Sequence, residues 1–146
     1  MGHRRKAREY VLQAMYMYEV VGYDVGELST LFWVDREIPD DTRDFASSLI
    51  RKTVEHIGEI DDLIKKYARN WSFERLSLVD MAILRLSICS MLFSRDVPLV
   101  VTINEGIELG KIYGGEFSGQ FINGILDSIK KTGLGGEDRE AGDNGK

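Results

Sequence analysis

Four cations stand within the first eight residues of the chain, Arg4, Arg5, Lys6 and Arg8, and no acid opposes them until Glu9. Clustered guanidiniums pair bidentately with phosphate oxygens, so the cluster could hold a nucleic-acid backbone. Arg5, Arg8, Leu12 and Tyr16 follow one another at steps of three, four and four, and a helix through them sets two guanidiniums and a phenol along one exposed edge. Charge for phosphates beside a plane for unstacked bases suits single-stranded RNA; a duplex hides its base faces and its deep groove excludes side chains. Positive charge at a helix start opposes the macrodipole by roughly 0.3–1 kcal/mol, so a chain that tolerates the cost has a use for the charge. The bland reading of the same residues is a solubilising helix start, and the cluster alone does not choose between the two.

Catalytic chemistry finds less support. Zinc needs three or four converging ligands, whereas His3, His56 and Cys89 are far apart in the chain. No GxSxG turn, no Cys–His pairing and no phosphate-cradling glycine loop is present, and Gly114-Gly115 reads as a helix stop. The carboxylate pairs Asp61/Asp62 and Glu105/Glu108 read as solvated helix faces, because acid–base work also needs a pocket that perturbs pKa values. His56, between Val54 and Ile57, reads as a hydrogen-bonded boundary residue, Trp33 and Trp71 as packing anchors, and Cys89 in LSICSMLF as a small buried hydrophobe. The sequence therefore points to binding, with no enzyme activity, cofactor or metal expected.

The elements that must carry these residues are helical. With 146 residues and 43% hydrophobic content the chain suffices for one folding unit, expected over residues 1–132. Ala7, Val11, Ala14, Met15, Tyr18 and Val21 give a first helix from Arg4 to Val21, and a short one is expected over Val25 to Val34. Pro39, Asp40 and Asp41 open a third helix with core residues Phe45, Leu49, Val54 and Ile57; Gly58 permits a break before a fourth that runs to about Arg69. Asn70, Trp71 and Ser72 punctuate, with Ser72 a candidate cap. The stretch from about Leu76 to Phe93 is apolar on most sides and should be the hub of the core. The β-branched run Val100 to Ile103 continues at helical spacing through Ile107 and Tyr113 behind Pro98, so it reads as helix, and Ser118 can cap a last one. Gly106, Gly110 and Gly124 inside these two helices imply close backbone approach. Residues 133–146, glycine-rich and acidic, should be disordered. The pattern is all-α, about seven helices without strands.

The formal net charge of −5 owes much to that tail, with Glu137, Asp138, Glu140 and Asp143, which leaves the basic start intact. No apolar run reaches the roughly 20 residues of a membrane span, and the basic N-terminus lacks the apolar stretch of a secretory signal. A cytoplasmic protein with no membrane partner is expected.

Several blocks together resemble the NusB family of transcription antitermination factors: RRKAREYVLQAMY at the start; EID, NW-x-x-ERL, ILRL and DVP in the middle; INEGIELGK and FINGILD at the close, covering about residues 4 to 131. The resemblance implies two small helical bundles set at an angle. It implies binding of single-stranded boxA RNA from nascent ribosomal-operon transcripts together with NusE, a small-subunit ribosomal protein, within an elongation complex that reads through terminators. By this resemblance Arg4, Arg5 and Arg8 match the arginine-rich motif, Lys6 falls within it, Tyr16 matches a motif aromatic, and Phe121 matches the phenylalanine of the FVNG motif. Gln120 stands where the family often has a lysine, and Ser90 where it tends to have a glutamate, so one phosphate contact and part of the NusE surface depart from the family pattern. Part of that surface would come from Leu76 to Phe93. The resemblance leaves open a homodimer through the RNA face. Competing readings are a domain fused to an RNA cytosine methyltransferase, against which the absence of a cofactor-binding segment counts, and a pure protein-interaction module.

Overall fold

The computed structural model describes residues 2–68, 76–94 and 96–134 and consists there of seven helices with no strand. They are α1 (Gly2–Val21), α2 (Val25–Leu31), α3 (Asp40–Glu55), α4 (Ile57–Tyr67), α5 (Leu78–Phe93), α6 (Leu99–Tyr113) and α7 (Ser118–Lys131). Helices α1, α2 and α3 pack as one group and α4, α6 and α7 as another, with α5 touching members of both. Along α5 every residue from Met81 to Met91 is buried, which is why its sequence is apolar all round. The expected Asn70–Ser72 punctuation and Trp71 lie outside the described residues, as do residues 135–146 of the expected disordered tail.

Local chemistry sets the joints. Gly22 takes φ of +86° to turn the chain out of α1, and Asp24 then closes a capping box on α2: its Oδ1 accepts from Glu27 N at 2.8 Å, and Glu27 Oε1 accepts from Asp24 N at 3.0 Å. α2 stops at Leu31, short of the expected Val34, because Phe32 turns into the core against Tyr10 and Trp33 and Asp35 adopts φ of +65°. The break between α3 and α4 falls at His56 and not at Gly58, which sits inside α4. His56 stacks on Phe93 at 4.0 Å and its Nδ1 lies 3.1 Å from Glu59, a hydrogen-bonded boundary position. Ser77 caps α5 by accepting from Asp80 N at 3.0 Å.

Two expectations for α7 are corrected. Ser118 does not cap it: the Oγ accepts from Gly115 N at 2.8 Å, backward into the connection, and Phe117 occupies the cap position. Gly124 has nothing within 4 Å of where a Cβ would stand. Close approach is real at Gly106, where a Cβ would meet Ser87 Oγ at 2.7 Å, and at Gly110, where it would meet Ile122 Cδ1 at 2.7 Å and Gly119 N at 3.3 Å.

An ion cluster around a buried arginine braces the two groups. Arg85 of α5, 4% exposed, donates from Nε and Nη2 to Asp61 of α4 at 2.9 and 2.8 Å and from Nη1 to Glu19 of α1 at 2.8 Å. Desolvation opposes the charge, but the hydrogen bonds to Asp61 and Glu19 outweigh it and raise the guanidinium's pKa. Removing one partner of such a buried pair leaves an uncompensated charge.

Candidate nucleic-acid interface

The first turn of α1 carries no acid, so Arg4 and Arg5 are answered from other helices. Arg4 lays its guanidinium on the ring of Phe45 in α3, 4.1 Å from the centroid, and Arg8 approaches the same ring at 5.7 Å. Arg5 points toward α6: Nε and Nη2 donate to the two carboxylate oxygens of Glu105 at 2.5 and 3.1 Å. That hydrogen bond is the main reason the Arg5 guanidinium is raised in pKa and the Glu105 carboxyl held below its ordinary range. Lys6 is exposed, its Nζ 3.7 Å from Glu9 and 5.5 Å from the Tyr10 ring.

The expected exposed edge is therefore corrected. Arg8 is only 4% exposed and Leu12 6%, because α1 packs against α3 and α5 and the middle of that row turns inward. Burial lowers the pKa of Arg8, with Glu105 acting in the other direction. The ends of the row, Arg5 and Tyr16, reach solvent, and the cations most open to a ligand are Arg4 and Lys6.

Tyr16, 41% exposed, borders a groove of about 380 Å³ with Leu12, Met17, Val79 and Tyr113. Side chains of α6 thus reach across to α1, Glu105 meeting Arg5 and Tyr113 standing near Glu9 and Tyr16. Burial, and then a hydrogen bond to Glu9 and its charge, push the Tyr113 phenol above its ordinary range. A second groove, about 300 Å³, holds half-buried Phe121 with Leu76, Asp80 and exposed Phe117. Gln120 is exposed on the turn before Phe121. The two grooves flank the first turn of α5, Val79 lining one and Asp80 the other.

Sequence reasoning missed Phe45, Glu105 and Tyr113. Phe45 read as core and Glu105 as a solvated face, since a partner 100 residues away leaves no trace in local spacing. No group of three or more metal-ligating side chains occurs among the described residues, and no helix there is long and apolar enough to cross a membrane.

The profile of the NusB family matches residues 5–131. The chain is 48% identical over 129 residues to the transcription antitermination protein NusB of Syntrophus aciditrophicus, covering 88% of this chain and 80% of that one. It is 40% identical over 131 residues to the protein of that name from Bacillus mycoides, covering 88% and 98%. Among solved structures, T. maritima NusB matches with a TM-score of 0.79 at 40% identity, over 88% of this chain and 90% of that one. A chain in the crystal structure of the antitermination factors NusB and NusE in complex with double-stranded RNA matches with a TM-score of 0.80 at 30% identity, over 90% and 98%.

Proposed function

The chain belongs to the NusB family, and from that premise we propose that it is a non-enzymatic transcription antitermination factor that binds single-stranded boxA RNA of nascent ribosomal-operon transcripts jointly with NusE. In the elongation complex this assembly promotes read-through by RNA polymerase. The folded unit is the helical region from α1 to α7, Gly2–Lys131. The RNA lies along the start of α1, with Arg4, Arg5 and Lys6 toward phosphates, Arg8 supporting them from beneath, and Tyr16 and Phe121 offering planes to bases, with Gln120 beside Phe121.

The observation that carries this reading is the exposed pair Arg4 and Lys6 at a helix start whose first turn holds no acid. Such a start is unfavourable for the helix, and a polyanion relieves it. The resemblance of the fold to a protein crystallised with NusE and double-stranded RNA supports the binding of RNA and NusE, while the single strand is argued from the exposed cations and ring planes alone.

Anisotropy of a labelled single-stranded boxA oligonucleotide across a salt series tests it, comparing the parent with an Arg4→Glu/Lys6→Glu variant. Charge reversal at Arg8 or Arg5 is avoided, because one is buried and the other is ion-paired within the fold. Affinity should fall at least about tenfold, and the slope of log affinity against log salt should lessen by roughly 0.7 for each phosphate that is no longer neutralised. Unchanged binding would leave the basic start as a solvated helix end.

A further inference from the structure

Arg5 is paired side-on with Glu105, through Nε and Nη2, and among the described residues none partners the Nη1 edge of the guanidinium. Side-on pairing fixes the guanidinium plane, because two parallel hydrogen bonds remove rotation about the terminal torsions. The Arg5 side chain is 36% exposed and that of Glu105 18%, so the carboxylate sits behind the cation. Glu105 is itself held by α6, which packs on α5 in the core, so the post that carries Arg5 is rigid. Arg5 lies between Arg4 and Lys6 in the chain, the two exposed cations of the same helix start.

Resting on the RNA-binding reading, we propose that Glu105 is a positioning residue for RNA: it holds Arg5 with its Nη1 edge presented to a backbone phosphate, so that an acidic residue strengthens the binding of a polyanion. An unpaired arginine loses side-chain freedom when it takes a phosphate, whereas here that order exists before RNA arrives. The depressed pKa of Glu105 keeps the carboxylate ionised and the pair made at neutral pH.

The sign of one substitution separates positioning from simple charge. Glu105→Ala removes a negative charge from an RNA-binding surface, and charge alone would make RNA bind more tightly. Positioning requires the opposite: affinity for single-stranded boxA RNA lower by roughly three- to tenfold, the cost of ordering one freed arginine, with Glu105→Gln, which keeps one acceptor, in between. In an Arg5→Ala background the loss on adding Glu105→Ala should vanish, as a double-mutant cycle would record. Unchanged thermal unfolding of the variants keeps the readout on binding, and if Glu105→Ala lowers stability, the cycle in the Arg5→Ala background still separates the two effects. Parental or tighter binding by Glu105→Ala overturns this inference and leaves the RNA reading standing. Failure of the parent itself to bind the RNA overturns both.

Discussion

Arg5 and Arg8 stand three residues apart on α1 and meet different surroundings: one swings to a carboxylate of α6 at the surface, the other lies almost fully buried over the ring of Phe45. A planar, weakly hydrated guanidinium tolerates such a seat where an ammonium would not. The sequence showed that both are cations on one flank of a helix, but depth depends on α3 and α6, whose residues are distant in the chain. Cys89 illustrates the converse, a residue whose burial was readable from its apolar neighbours. It is fully buried in α5, and desolvation pushes its thiol up to about 11. A thiolate fraction on the order of 10⁻³ at pH 8 and the lack of access together predict that the native protein does not react with a disulfide reagent there, while the denatured chain reacts with one equivalent. Titration of free thiol with and without denaturant checks this; prompt native reaction would show that α5 is not sealed.

At the scale of elements, hydrophobic periodicity located all seven helices, including the all-round apolar α5, because a helix buried on every side has no polar face to display. What it could not supply was the use of each glycine. Gly106 and Gly110 admit α5 and α7 against α6, whereas Gly124 faces open space, and the three look alike in sequence. Gly124→Ala should therefore raise stability by about 0.5–1 kcal/mol, the helix-propensity gain with nothing to clash. Gly110→Ala should lower it by about 1–3 kcal/mol, since the added methyl meets Ile122 and the backbone of Gly119. Denaturant unfolding of the two variants would show opposite shifts in midpoint; a stabilised Gly110→Ala would mean that the α6–α7 contact is looser than described. The missed cap at Ser118 has the same origin. A serine before an apolar run satisfies the capping pattern whether its oxygen looks forward or, as here, back to Gly115.

The whole molecule keeps a basic start within a net charge of −5 by segregating charge. Cations gather at the start of α1, and the carboxylates nearest them, Glu9 and Glu105, are paired with Lys6 and Arg5. The Arg85 cluster joins α1, α4 and α5, so the groups carrying the basic start and the Tyr16 and Phe121 grooves hold a fixed relation. All-helical architecture and the basic start were legible in sequence. That brace was not, because its three members come from three helices. Joint recognition of one strand of RNA with NusE is the central claim, and reciprocity requires that a partner which tightens RNA binding be itself bound more tightly in the presence of RNA. The most direct measurement is the dissociation constant for a labelled single-stranded boxA oligonucleotide with and without saturating NusE, alongside a duplex of the same sequence. NusE should lower the constant at least about fivefold, a coupling of roughly 1 kcal/mol, and the duplex should bind more weakly than the single strand. An affinity indifferent to NusE would contradict joint recognition, and a duplex bound as tightly as the single strand would contradict recognition of one strand.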